Sequence, residues 1–357
     1  MRTAIIGLPQ VGKTSLFTIL TGVSSEGKIG SMKAQVGVAK VPDKRLDKLA
    51  ELFEPPKVVH ATVEYADMPA LSREALADPA YIGSLRTVDA FAHVLRLFED
   101  DTVMHIEGTL DPKRDWDAME AELILADLQV VENRLERVAK DAKRLKNPDL
   151  PKEQELLERC KQTLESEIPL RELELEPDEA KRLRGFQFLS EKPMLLVLNV
   201  GEDQASQISE IEDKYRAEWL EGKRNVGVTA VCGSIEAEIA ELSDEDAKEY
   251  METYGLTEPG LNRMVQATYD LLGLMSFLTA GDTECRAWTI PKNTPAAKAA
   301  GAIHSDFEKK FIRAETIQWE LLLELNGYQG AKEKGVLRLE GRDYIVQDGD
   351  VLVIRHS

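Results

Sequence analysis

Apolar residues fall in short continuous runs through much of the chain. Residues 3–6, 61–66, 90–97, 194–199 and 226–231 are too uniformly apolar for half-solvated strands, and predict parallel strands covered on both faces. Helical stretches separate them, the first starting over Ser15–Leu20, so the expected class is α/β with a doubly wound sheet. Between the third and fourth runs the period changes. Ala121, Ile124, Leu128, Val131, Leu135, Val138, Ala142 and Leu145 recur at three- and four-residue spacing, the seam of a coiled coil. Asn147-Pro148 and Pro151 are expected to break it. Leu157, Cys160 and Leu164 then continue the spacing in a returning helix that ends before Pro169. An antiparallel helical hairpin is thus inserted between two halves of the sheet. A solvated structural arm and an arm that touches a partner both fit this pattern.

From about residue 276 the style changes again. Arg286–Ile290, Val336–Leu339, Arg342–Val346 and Val351–Arg355 read as strands, with a turn at Asp348-Gly349-Asp350 and one helix over about Pro295–Phe311. A small mixed sheet with one helix suits a β-grasp-like α+β module. The expected organisation is residues 1–115 with 191–275 as one domain, 116–190 as the inserted coiled coil and 276–357 as the C-terminal domain.

Composition sharpens this in two places. The chain has 357 residues, 43% of them hydrophobic and 31% charged, which excludes wholesale disorder. No apolar run approaches the ~20 residues of a membrane span, and the N-terminus enters a strand without a secretory signal. Cys160, Cys232 and Cys285 are odd in number and far apart, which argues against a disulfide framework or a cysteine-built zinc site. A cytoplasmic setting, no membrane partner and a monomeric state are the expectations.

The net charge of −19 excludes a protein that coats nucleic acid, yet it is unevenly spread. Residues 276–357 carry −1 and residues 116–190 carry −5, which leaves −13 for the remainder. Within the hairpin, residues 134–146 hold six basic groups against two acidic ones, a local +4 that suits contact with RNA. A solvated helix face fits the same run.

The chemistry is concentrated in Gly7-Leu-Pro-Gln-Val-Gly12-Lys13-Thr14, which fits Gly-x4-Gly-Lys-Ser/Thr directly after a first strand and before a helix. Glycines let backbone amides and the helix N-terminus close around phosphate oxygens. Pro9, Gln10, Val11, Gly12, Lys13, Thr14 and Ser15 are therefore candidate phosphate-binding residues. Lys13 is expected to reach the β- and γ-phosphates, and the Thr14 hydroxyl to ligate Mg2+.

With this loop in place, the chain resembles the YchF family, the Obg-like ATPases among translation-factor-related P-loop NTPases, over nearly its whole length. Val36-Gly37-Val38, Val41-Pro42-Asp43 and Arg45–Leu49 are similar to its segment after switch I. Phe98–Asp101, His105–Gly108 and Asp111-Pro112 are similar to the segment before its helical insert. Phe277–Gly281, Arg286–Ile290, Ala300–His304, Asp306–Lys309, Phe311–Glu315, Leu339–Gly341 and Tyr344–Asp350 resemble its C-terminal TGS domain, a β-grasp fold.

Asn199-Val-Gly-Glu202 looks like the family's base-recognition motif, with Cys232-Gly233-Ser234 as the loop beneath the base. GTPases use Asn-Lys-x-Asp here. Val200 and Glu202 replace the lysine and aspartate, and a carboxylate one methylene longer crowds the guanine edge, so the resemblance implies acceptance of ATP, with GTP as an alternative. Switch II departs from the family pattern. Asp67-Met-Pro-Ala70 stands for Asp-x-x-Gly, and Leu71 stands where small GTPases orient water with glutamine. Asp67 through water and Ser31 of switch I are implied to complete the Mg2+ shell with Thr14. His105 is one candidate for positioning water, and a structural histidine fits equally. The family implies a ribosome-associated NTPase that contacts ribosomal RNA through the arm and the TGS domain. The alternatives are a non-hydrolysing nucleotide-binding adaptor and, disfavoured for want of an acceptor-binding segment, a small-molecule kinase.

Overall fold

The apolar runs fold as strands within one residue of their expected limits in the computed structural model, which describes residues 1–23, 34–70, 75, 78–100, 102, 103, 105, 106, 108–142 and 149–357. In chain order the strands are β1 (Arg2–Ile6), β2 (Gln35–Lys40), β3 (Val58–Val59), β4 (Thr62–Asp67), β5 (Ala90–Arg96), β6 (Met194–Asn199), β7 (Val226–Val231), β8 (Leu274–Thr279), β9 (Cys285–Pro291), β10 (Phe311–Gln318), β11 (Arg338–Glu340) and β12 (Asp350–His356). Two compact units result: Met1–Val38 with Glu64–Ala267, and Ala39–Val63 with Thr268–Ser357. The second unit takes in residues 39–63, which the pattern of the sequence had grouped with the first.

The first unit is built on a sheet ordered β2-β4-β1-β5-β6-β7. β4, β1, β5, β6 and β7 pair in parallel. Every residue of β5 and β6 is buried, which is why these strands show no alternation. Because β4 and β5 lie on opposite sides of β1, the chain reverses direction across the sheet at β1, and the C-terminal ends there form the crevice such sheets use for ligands.

A helix over Pro112–Ala142 leaves this unit and the helix Asp149–Glu165 returns beside it. Trp116, Met119 and Leu123 belong to the hydrophobic core of the sheet, whereas Ile124, Val131 and Val138 pack with Leu157, Cys160 and Leu164 in a core of the arm itself. One helix thus roots the arm in the sheet. Ala121, expected in the seam, is exposed. Pro151 does not break the return helix but lies in its first turn, where a missing N–H costs no helical hydrogen bond. Leu145 and Asn147-Pro148 lie outside the described residues.

The second unit holds the sheet β11-β10-β12-β8-β9-β3, antiparallel except at β12–β8 and β3–β9. The expected β-grasp arrangement is present, with corrections. The span Pro295–Phe311 is two helices, Ala296–Ile303 and Ser305–Lys309, broken at His304, whose Nδ1 accepts the Asp306 amide at 3.2 Å. Arg342–Val346 is not a strand; Ile345 makes only a bridge to Pro295. Phe311–Gln318 is the strand β10, with Phe311, Ala314 and Ile317 buried.

Candidate functional site

The loop after β1 turns back under its own helix, and its glycines are fixed by what surrounds them. Gly7 has φ +146°, and a side chain there would meet the Val94 carbonyl at 2.6 Å. Gly12 has φ +97° and stands against the Asn199 amide group, leaving no room for a Cβ. Gly12 also precedes the helix Lys13–Thr21, which has no side-chain cap and no acid in its first turn. Its N-terminal amides and positive dipole end are therefore left for an anion.

Lys13 is buried and donates from Nζ to the Leu8 carbonyl at 2.5 Å. Burial pushes its pKa down to about 8, and the charge of Asp67 opposes that only in part. The Thr14 hydroxyl donates to Asp67 Oδ2 at 2.9 Å. Asp67 Oδ1 is buried without a hydrogen-bond partner among the described residues, and desolvation raises the pKa of this carboxyl despite the Thr14 bond and Lys13. An unshared carboxylate oxygen beside a threonine hydroxyl is an all-oxygen donor set of the kind Mg2+ takes. The residues present fit that ion. Ser31 and Leu71 lie outside the described residues.

Asn199, at the end of β6, joins three segments. Its Nδ2 donates to the Val11 carbonyl at 3.0 Å, and its Oδ1 accepts the Gly233 amide at 3.0 Å. Around it lies a cavity of about 550 Å³, lined by Gly12 and Ser15 of the phosphate loop, Asn199–Asp203, Gly233, Ser234 and the segment Phe98–Asp100. The structure thus brings together Gly12, Ser15, Asn199, Glu202, Gly233 and Ser234 as the sequence predicted. Val200 lines the cavity too, but Val200 and Cys232 are 2% and 1% exposed and belong to the hydrophobic core beneath. Pro9, Gln10 and Val11 form the outer loop, with Gln10 exposed at φ +61° and Val11 buried.

His105 is not among the residues that line this cavity. Its Nε2 lies 2.9 Å from Asp115 Oδ2, both side chains are buried, and Arg114 contacts the other oxygen of Asp115 at 2.8 Å. This ties the segment after β5 to the first turn of the long helix.

Two residues were not anticipated. Arg96 ends β5 at 3% exposure, donates from Nε to the Phe98 carbonyl at 3.1 Å and stacks on the Phe98 ring at 4.4 Å. A charged residue closing the run Ala90–Leu97 is the available signal, since a buried guanidinium requires partners. His93, fully buried beneath Gly7, has no partner for either ring nitrogen among the described residues, and burial holds it neutral with a pKa of about 3.

Comparisons with known proteins bear on the whole chain. The C-terminal YchF GTPase family model, described as a protein of unknown function (DUF933), matches residues 274–357. The ribosome-binding ATPase YchF of Bacillus subtilis is 41% identical over 364 residues, covering 100% of this chain and 99% of that protein. The ribosome-binding ATPase YchF of Escherichia coli O157:H7 is 41% identical, covering 98% of each chain. Among solved structures, the Schizosaccharomyces pombe YchF GTPase superposes with a TM-score of 0.85 at 26% identity, covering 99% of this chain and 97% of that one.

Proposed function

This chain belongs to the YchF family, and from that premise we propose that it is a ribosome-associated P-loop NTPase that binds ATP, with GTP as a second substrate, and hydrolyses it. The observation that carries the reading is the convergence of Gly12, Lys13, Thr14, Asp67 and Asn199 at the C-terminal ends of β1, β4 and β6. Its cellular setting would be the cytoplasm. No helix among the described residues is long and apolar enough to cross a membrane.

In this reading the phosphate-loop amides and the helix N-terminus hold the β- and γ-phosphates, and Lys13 neutralises charge that grows on them during transfer to water. Thr14 and, through water, Asp67 would hold Mg2+, which neutralises phosphate charge when bound. Asn199 fixes the phosphate loop against the loop at Gly233, so the purine and triphosphate ends of the site cannot move independently. Glu202 stands at the cavity in place of the aspartate that selects guanine. The aspartate at the end of β4 is retained although the following glycine is Ala70.

Phosphate release by the purified protein, against Lys13→Ala, tests hydrolysis; equal rates would leave the non-hydrolysing adaptor. In this reading the nucleotide state controls docking on the translation machinery; co-sedimentation with purified ribosomes under ATP, GTP or no nucleotide tests that, and nucleotide-independent pelleting would exclude it.

A further inference from the structure

Residues 39–63 leave the first sheet and return to it. β2 runs into this stretch and β4 runs out of it, both as strands of the sheet β2-β4-β1-β5-β6-β7, yet the stretch itself folds with the second unit. Its base is closed where the Val41 amide donates to the Ala61 carbonyl at 2.8 Å. From there the six residues of β4 lead to Asp67. Only the edge strand β2 lies beyond β4, so the sheet does not fix β4 from both sides as it does β5.

Arg45 fastens the stretch. Asp43, 7% exposed, caps the helix Lys44–Phe53 by accepting the Arg45 amide at 3.0 Å, and it also takes Nε and Nη2 of the guanidinium at 2.8 and 2.9 Å. The remaining nitrogen, Nη1, lies 2.8 Å from Asp348 Oδ2 in the turn before β12. Asp348 is itself held to β8, its Oδ1 accepting the Ser276 amide at 3.1 Å. Gly349 leaves the guanidinium room: at φ +82°, a Cβ there would meet Trp319 at 2.9 Å and Arg45 Nη1 at 3.1 Å. All three guanidinium nitrogens are thus engaged by two carboxylates, a fork that lysine cannot reproduce.

We propose that Arg45 and Asp348 are positioning residues for the Mg2+ site: by holding the base of this stretch they set where β4 begins, and the extended strand carries that placement to Asp67. The proposal rests on the reading of Asp67 as a metal-holding residue and adds regulation to it. A ligand that docks on the second unit and disturbs the turn at Asp348 would change the affinity for Mg2+ and nucleotide, which in turn would change that docking by the same factor.

Two measurements on the full chain test this. The first is amide hydrogen exchange without metal or nucleotide. The Glu64 amide donates to the Met1 carbonyl and the Met68 amide to the Ile5 carbonyl, so both report how β4 is held against β1. Arg45→Gln is expected to speed exchange over residues 64–68 about fivefold, and Arg45→Lys to restore part of the protection. Arg355→Gln, which breaks the pair with Glu315 in the same unit, is the control and is expected to leave these amides unchanged. The second is the Mg2+ concentration for half-maximal binding of a non-hydrolysable ATP analogue. Arg45→Gln should raise it about fivefold, and adding Asp348→Asn should raise it no further, because the pair acts as one unit. Unchanged exchange over residues 64–68, an equal effect of Arg355→Gln, or an unchanged Mg2+ requirement beside a lower Tm overturns the proposal. Wild-type binding that shows no Mg2+ dependence would strike the reading of Asp67, while the exchange measurement still decides whether Arg45 places β4.

Discussion

Arg96 and Phe98 form one unit beside the cavity around Asn199, which Phe98 lines. The guanidinium sits 4.4 Å from the ring centroid, and Nε holds the Phe98 carbonyl at 3.1 Å. The amides of Leu97 and Phe98 both donate to the Asn199 carbonyl, at 2.8 and 3.2 Å, so the cavity wall at 98–100 is pinned from two sides. Arg96→Met is expected to raise KM for ATP about tenfold, roughly 1.4 kcal/mol of binding, with a smaller change in kcat. Arg96→Lys keeps the charge but lacks the planar fork, and should rescue only in part. Steady-state kinetics beside a melting curve decide: lower Tm with unchanged KM would make Arg96 merely structural.

Lys13 predicts a pH dependence of binding. Its pKa in the nucleotide-free protein is lowered to about 8, so it is charged below that pH and loses its proton above it. Bound phosphates favour the charged form. Triphosphate affinity is therefore expected to be flat below about pH 8 and to fall above it, by as much as tenfold per unit. Lys13→Met should bind weakly with no such bend. The stability linkage has the opposite sign: between about 8 and the unfolded value of 10.5 the unfolded chain binds more protons, so this group's contribution to stability rises with pH. Calorimetric titration of a non-hydrolysable analogue at pH 7, 8 and 9 checks the first claim.

Asp67 carries the metal argument. Its Oδ2 takes the Thr14 hydroxyl at 2.9 Å and its Oδ1 has no partner among the described residues. Asp67→Asn keeps the shape and loses the charge. It should raise the Mg2+ concentration needed for half-maximal hydrolysis by about tenfold or more, while nucleotide binding without metal changes little. An unchanged Mg2+ requirement would place the ion on other ligands.

The sequence exposed what depends on uninterrupted burial or on fixed spacing. The strands around the candidate site were legible because β5 and β6 are buried along their whole length, and the glycine loop after β1 because each glycine is demanded by a close neighbour. The edge elements were not. β2, Gln35–Lys40, was not picked out as a strand: it is short, holds Gly37 at its centre and leaves Val36 and Val38 exposed, so it carries no run of buried apolar residues. β10 was not read as a strand: the predicted helix ended at Phe311, and beyond it Phe311, Ala314 and Ile317 recur at a spacing that is not that of a strand. In the site, Asn199 was recognisable by motif, but its bonds to Val11 and Gly233 span 188 and 34 residues, a distance no local pattern encodes. Arg96 was missed for the same reason: its role lies in the turn it closes, not in a spacing.

Glu202 predicts base choice. It stands on the cavity beside Asn199 and Asp203, where guanine-selective sites place an aspartate. Glu202→Asp shortens the carboxylate by one methylene and opens space for the guanine edge. The ratio of GTP to ATP affinity is expected to rise, by about ten- to a hundredfold if the carboxylate reaches N1 and N2. Pairing it with Val200→Lys would bury a cation in the core, since Val200 is 2% exposed, so the single change is the clean one. Competition of ATP and GTP for a fluorescent nucleotide reads the ratio directly.

The last prediction concerns the far end of the arm. Arg137 and Lys140 are exposed on the outgoing helix, and Lys140 has Glu136 only at 3.9 Å, a pair that solvent screens. Arg144, in the same basic run, lies outside the described residues. If these groups meet RNA phosphates, each releases counterions on binding, and affinity should fall linearly on a logarithmic scale of salt. Arg137→Gln, Lys140→Gln and Arg144→Gln together are then expected to weaken ribosome binding and to flatten that slope by about two to three. Co-sedimentation at four salt concentrations reads the slope. A triple variant with an unchanged slope would leave the basic run as a solvated helix face.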